Sequence, residues 1–153
     1  VEVMVTFKYV NPPIGAQAID EFERYLGMSL PADYRRFLLE HNGGQPTPHS
    51  FLINDKQGSD IVDFFLGLKA EKLAFSLEEY AKHRKDHLPS NLISIARDPF
   101  RNVICLSLAG TDVGKVYFSD ADFEVVGAPD YSNLYLLADS FDEFLSKLHE
   151  SET

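Results

Sequence analysis

Two histidines, His83 and His87, stand four residues apart in a segment with helical hydrophobic spacing. At that spacing both imidazoles lie on one face of a helix and could bind the same metal ion. A catalytic zinc needs a third ligand, and Arg84 stands where an H-E-x-x-H motif has its glutamate. Because Lys85 is also adjacent, a solvated basic face explains the pair more simply, and we expect no metal site.

Residues 109–116 (AGTDVGKV) partly match the phosphate-binding pattern G-x-x-x-x-G-K-[ST]. Ala109 stands at the first glycine, and Val116 stands at the hydroxyl that would bind magnesium. The residues after Lys115 have the pattern of a strand, whereas the motif must open a helix whose N–H groups hold phosphate. We therefore predict a hairpin turn at this position.

The carboxylates of Asp120, Asp122 and Glu124 alternate like the first ligands of a calcium loop. Val125 occupies the position that needs glycine, and Tyr131 occupies the position that needs a bidentate carboxylate. The alternation instead indicates the exposed side of a strand or turn.

A nucleophile with a nearby base is also missing from the local sequence. Cys105 is the only cysteine, which excludes an internal disulfide and a cysteine-based zinc site. It lies in the apolar run 103–106, where a buried thiol is the usual finding. No serine sits in a G-x-S-x-G elbow. We expect a non-enzymatic protein without a cofactor, and a small hydrolase whose residues meet only in the folded chain stays open as an alternative.

The charge is the unusual feature of the composition. The chain of 153 residues has 24 Asp and Glu against 14 Lys and Arg, a net charge of −10. Such a surface is repelled by phosphate backbones, so we expect no direct binding of nucleic acid. Residues 119–153 hold nine of the acids and one base, Lys147, a net charge of −8. This acidic region is either a solvated face or a face shaped for a basic partner.

The length and hydropathy indicate one globular domain, residues 1–153. No stretch approaches 18 consecutive apolar residues, and no secretory leader pattern opens the chain. We expect a soluble cytoplasmic protein that has no contact with membranes.

The hydrophobic spacing predicts two helices, two paired strands, a third helix, a strand meander and a final helix. Capping boxes at Ser76 and Ser140 mark the starts of the third and final helices. The helices are expected near residues 19–26, 31–41, 77–87 and 141–148, and the strands at 51–53, 61–66, 92–96, 103–108 and 115–118. This order predicts an α+β fold in which an antiparallel meander packs against about four helices.

Four segments, in order, resemble the signature of the SUKH superfamily, also called the SMI/KNR family. They are residues 30–44 (LPADYRRFLLEHNGG), 95–98 (IARD) continuing into 102–106 (NVICL), 114–118 (GKVYF) and 137–145 (LADSFDEFL). The resemblance runs over about residues 13–148. Two places differ: Pro99-Phe100-Arg101 replaces a glycine-rich turn, and Ser119 replaces a frequent tryptophan.

The resemblance implies an α+β immunity protein. Bacterial members are thought to neutralise toxins, often nucleases, whereas fungal members act in cell-wall regulation. We therefore expect a cognate protein toxin as partner, with a nuclease as one candidate, and a regulatory or scaffold module as the alternative. The residues expected to bind the partner are acids of the charged region and aromatic residues near turns: Asp120, Asp122, Glu124, Asp130, Tyr131, Phe100 and Asp139.

Overall fold

The computed structural model describes residues 4–83, 85–125 and 127–151. Within these ranges, four α-helices and nine β-strands confirm the predicted α+β fold. In chain order they are β1 (Thr6–Lys8), α1 (Ala16–Leu26), α2 (Ala32–Glu40), β2 (Gln45–Thr47), β3 (Ser50–Asn54), β4 (Gly58–Ile61), β5 (Phe64–Phe65), α3 (Leu77–His83), β6 (Leu92–Arg97), β7 (Val103–Ser107), β8 (Val116–Ser119), β9 (Leu134–Ala138) and α4 (Phe141–Ser146).

The main sheet is a five-stranded antiparallel meander in the order β5-β6-β7-β8-β9. Two separate ladders, β1–β2 and β3–β4, complete the strands. At the end of the meander, Val116 of β8 pairs with Ala138 of β9, and Ser119 pairs with Leu134. The segments after β8 and after β9 therefore lie at opposite ends of this ladder.

One face of the meander packs against α1, α2 and α4. The shared core is rich in aromatic rings: Phe22, Tyr34, Phe37, Phe51, Phe65, Phe118, Phe141 and Phe144. The other face carries a smaller buried cluster of Leu88, Leu92, Val103 and Cys105, with Tyr80, Tyr117 and Leu134 packed around it. Cys105 is fully buried, as predicted.

The starts of α3 and α4 and the end of α1 lie where the sequence indicates. The hydroxyls of Ser76 and Ser140 accept hydrogen bonds from the third following N–H at 3.1 Å, so both predicted capping boxes supply their N-cap bond. At the end of α1, Gly27 has a φ of 72°, a left-handed conformation that glycine adopts without strain. Helix α3 is described from Leu77 to His83, and residues 85–87, expected to be helical, form turns.

Five strands depart from the expected pattern: β1, β2, β4, β5 and β9. The run 61–66 divides, since β4 ends at Ile61 and β5 joins a different sheet. Strand β2 forms outside the predicted strands and pairs with β1, which was also not predicted. Its Pro46 fits there because an edge strand has a side on which no N–H is needed. Strand β9 extends the predicted meander by one strand.

Candidate partner-binding surface

The connection between β6 and β7, residues 98–102, is a tight turn built around one carboxylate. Asp98 is 2% exposed, and its Oδ1 accepts hydrogen bonds from the backbone N–H groups of Phe100, Arg101 and Asn102 at 2.8–3.0 Å. Its Oδ2 accepts a bond from Asn102 Nδ2 at 2.7 Å. Burial alone would raise the pKa of Asp98, but these bonds and a contact with Asp60 hold that pKa below its ordinary value.

Asn102 joins this turn to the connection between β8 and β9, residues 120–133. Its Oδ1 accepts a hydrogen bond from the N–H of Ala121 at 2.9 Å. Ala121 begins a 3₁₀ turn, Ala121–Phe123, which Asp120 caps by accepting a bond from Asp122 N at 3.0 Å. A second link is the 3.8 Å approach of Arg101 Nη2 to Asp122 Oδ1. We call residues 98–102 together with 120–125 the turn–loop surface.

Two phenylalanines stand out from this surface. Phe100 is 72% exposed and Phe123 is 68% exposed, whereas most phenylalanines of the chain lie in the core. Exposed aromatic side chains beside charged groups are typical of protein interfaces. Phe100 was among the residues expected to bind a partner, whereas Phe123 was not, although its position between Asp122 and Glu124 was the available signal.

A cleft of about 300 Å³ opens beside the turn. Its walls include Tyr80 of α3, Arg97 and Arg101, and the ring of Phe100. The turn–loop surface and this cleft together present aromatic rings, two guanidinium groups and the carboxylates of the 3₁₀ turn.

Glu124 and Asp130, also expected to bind a partner, have contacts within the chain. Glu124 Oε1 lies 2.7 Å from His87 Nδ1, and the Glu124 side chain is only 14% exposed. Asp130 is exposed and accepts bonds from the N–H and hydroxyl of Ser132, which lower its pKa. Asp130 lies further along the connection, outside the turn–loop surface.

Tyr131 belongs to a hydrogen-bonded network at the β7–β8 hairpin. Its hydroxyl donates to Asp112 Oδ2 at 2.7 Å and accepts from Asn91 Nδ2 at 2.8 Å. Tyr117 donates to the same Asp112 oxygen at 2.8 Å, and the two tyrosine rings meet edge to face at 5.5 Å. Ser107 donates to Asp112 Oδ1 at 2.8 Å. The segment that resembled a phosphate loop is thus the predicted hairpin turn, and its Asp112 organises the network.

Asp139 lies apart from the other expected residues. It follows β9, so the β8–β9 register places it beside Lys115, whose Nζ is 3.8 Å from its Oδ1. Asp120 and Asp139 stand at opposite ends of the ladder, roughly 15 Å apart at about 3.3 Å per residue. Of the seven expected residues, the structure brings Phe100, Asp120, Asp122 and Glu124 together, and it separates Asp139 from them.

The cysteine and the two histidines singled out by the sequence have separate surroundings. Cys105 is buried in β7, His83 bonds Glu79 at 2.9 Å, and His87 bonds Glu124. Among the described residues, no group of three His, Cys, Asp or Glu side chains could hold a metal ion. In the same ranges, none of the helices has the length and apolar character needed to cross a membrane.

Comparison with known proteins matches this chain to one family over most of its length. The model of the SMI1 / KNR4 family (SUKH-1) matches residues 13–147. A curated relative, the SPbeta prophage-derived uncharacterized protein YokK of Bacillus subtilis (strain 168), is 26% identical over 149 residues. That alignment covers 86% of this chain and 73% of the relative. The resemblance inferred from the four sequence segments is therefore confirmed, and the chain belongs to the SMI1 / KNR4 family (SUKH-1).

Proposed function

We propose that this protein is a non-enzymatic immunity protein that binds and neutralises a cognate bacterial toxin through the turn–loop surface. Membership of the family indicates an immunity-type protein that in general binds a toxin. The observation that carries the proposal is the pair of exposed rings, Phe100 and Phe123, on two segments that Asn102 holds together.

The aromatic residues supply binding energy that the acids alone cannot supply. Binding energy is concentrated in a few large side chains near the centre of an interface, and exposed charges contribute mainly to the rate of encounter. Phe100 and Phe123 each offer a ring that a partner could bury. Their backbones are held by Asp98, Asn102 and the 3₁₀ turn, so little order has to be gained on binding.

The charge favours a basic partner. Asp120 and Asp122 lie on the surface itself, in a chain with a net charge of −10. Nuclease active sites are basic because they bind phosphate, and an acidic protein can occupy them electrostatically. A nuclease toxin is therefore the partner that we propose.

The experiment is co-expression with a toxin encoded beside the gene. We expect the wild-type protein to protect the cells and the double variant F100A/F123A to lose that protection while remaining folded. Truncation of each ring is expected to cost about 2 kcal/mol of binding energy, roughly a 30-fold loss of affinity.

Tyr25→Ala is the matched control, because Tyr25 is also an exposed aromatic residue, at 62%, but lies on α1. Death of cells that carry the wild-type protein, at the rate of cells without it, would refute the immunity function. Full protection by F100A/F123A would refute the assignment of the surface.

A further inference from the structure

A pair of carboxyl groups joins the turn–loop surface to β4. Asp60 of β4 contacts Asp98 through their side chains. Asp60 Oδ2 is shielded from solvent and has no hydrogen-bond partner among the described residues if both groups are ionised. Two carboxylates in contact away from water repel each other, so one of them retains a proton.

The surroundings decide which group holds that proton. Asp98 already accepts four hydrogen bonds from N–H donors, all of which stabilise its ionised form. The hydrogen bond from the N–H of Ile61 lowers the pKa of Asp60, but burial, which raises that pKa, has the largest effect. Burial and the contact with Asp98 raise the pKa of Asp60 to about 7. The proton therefore belongs to Asp60, which can donate it to Asp98.

Among the described residues, the arginines nearest to this pair contact other carboxylates. Strand β3, which pairs with β4, has the sequence SFLIN and carries no charge. Asp63 follows β4, and Arg97 ends β6. These two side chains form an ion pair with each other at 3.2 Å. In the turn, Arg101 extends toward Asp122 instead. His49, whose carbonyl accepts a bond from Val62 N, is the nearby titratable group that needs a control.

We propose that the proton shared by Asp60 and Asp98 fastens the β6–β7 turn to β4, and that its loss in mildly alkaline solution loosens the turn. Deprotonation releases one proton to solvent and leaves two facing carboxylates. The only hydrogen bond that joins their side chains is lost, and repulsion replaces it. Because Asp98 positions the backbone of Phe100 and Asn102, the whole turn–loop surface responds.

The direction of the effect follows from linkage. A group whose pKa is higher in the folded than in the unfolded protein stabilises the fold at low pH, and this contribution is lost as the pH rises through the folded value. For Asp60 the loss falls around pH 7. A consequence that rests on the proposed function is weaker partner binding above that pH.

The test is an NMR titration of the free protein from pH 5 to 9, with no partner present. We expect the amide signals of Phe100, Arg101 and Asn102 to shift together with one midpoint near neutral pH. The side-chain carboxyl carbon of Asp60 should titrate with the same midpoint. In Asp60→Asn, whose amide can donate to Asp98 at every pH, the shift of the three amides should disappear.

Two control variants distinguish the titration of this pair from the titration of neighbouring groups. Asp63→Asn and His49→Gln should retain the titration of the turn. Flat amide signals in the wild type, a carboxyl carbon of Asp60 that titrates near its ordinary pKa, or a titration that persists in Asp60→Asn would each overturn the proposal. Since no toxin is used, failure here would leave the immunity function unaffected.

Discussion

Removal of the Tyr131 hydroxyl tests whether this residue acts within the chain. The variant Tyr131→Phe retains the ring and its edge-to-face contact with Tyr117. It deletes the donor to Asp112 at 2.7 Å and the acceptor for Asn91 at 2.8 Å. The substitution therefore affects hydrogen bonding and leaves apolar packing largely unchanged.

The expected loss of stability follows from the type of hydrogen bond that is deleted. A hydrogen bond to a charged group contributes about 1.5–3 kcal/mol, and the exposure of Tyr131, 40%, moves the expected value toward the lower end. We expect a loss of about 1–2 kcal/mol in the free energy of unfolding. In urea, at a slope of about 2 kcal/mol per M, the midpoint should fall by roughly 0.5–1 M.

The pH dependence provides a second signature. Burial raises the pKa of Asp112, but hydrogen bonds from Tyr131, Tyr117 and Ser107 outweigh it and lower that pKa below the ordinary 3.8. A group with a depressed folded pKa stabilises the protein above the unfolded value, and the contribution is lost as the pH falls through the folded value. The difference between wild type and Tyr131→Phe should therefore be constant from pH 5 to 8 and should shrink below pH 4.

The assay is equilibrium urea unfolding at several pH values, with Tyr25→Phe as the control for loss of an exposed tyrosine hydroxyl. The control should change the free energy of unfolding by less than about 0.5 kcal/mol. Equal stability of Tyr131→Phe and wild type at pH 7 would refute the scaffold role of this hydroxyl. A large loss that did not shrink below pH 4 would refute the role of the Asp112 carboxylate.

Three further predictions concern stability, each measured by urea unfolding. Asn42→Ala should cost about 3–5 kcal/mol, because the buried Asn42 amide bonds the carbonyl of Pro12 and both backbone groups of Leu68; a loss below 1 kcal/mol would contradict this. Tyr34→Phe should leave stability unchanged or raise it by about 1 kcal/mol, since the buried hydroxyl has no partner among the described residues; clear destabilisation would show that it has one. Ser140→Ala should cost about 1 kcal/mol through loss of the α4 cap, and an unchanged midpoint would contradict that assignment.

The α+β class and most elements could be predicted because they depend on local signals. Capping boxes, apolar stripes and glycine stops act over a few residues, so the starts of α3 and α4 and the end of α1 are readable from the sequence. Strand β9 was missed because its burial does not alternate, with Leu136 exposed and Leu137 buried beside Ala138. Strand β2 was missed because Pro46 normally indicates a loop, and only pairing with a distant segment makes it a strand.

The candidate surface was only partly predictable, because it also depends on pairing between segments that are distant in the sequence. Without β9, the acidic region appears as one continuous face. The antiparallel return of β9 carries Asp139 to the far end of the ladder. The contribution of Asn102 and the exposure of Phe123 arise from contacts between segments about 20 residues apart, which local patterns do not encode.

The most direct test of the turn–loop surface compares Asp122→Lys with Asp139→Lys in the association rate with the toxin. The two residues are well matched: each is exposed, each lies 3.8 Å from a basic side chain, and each substitution changes the net charge equally. At about 10 Å from a partner charge in water, two units of charge are worth about 0.8 kcal/mol, or roughly fourfold in rate. At the far end of the ladder, screening over a Debye length of about 10 Å removes most of this effect.

We predict that Asp122→Lys slows association at about 0.1 M salt several times more than Asp139→Lys does, and that the difference disappears at about 1 M salt. Equal slowing by the two variants, or a larger effect of Asp139→Lys, would contradict the assignment of the turn–loop surface as the docking face.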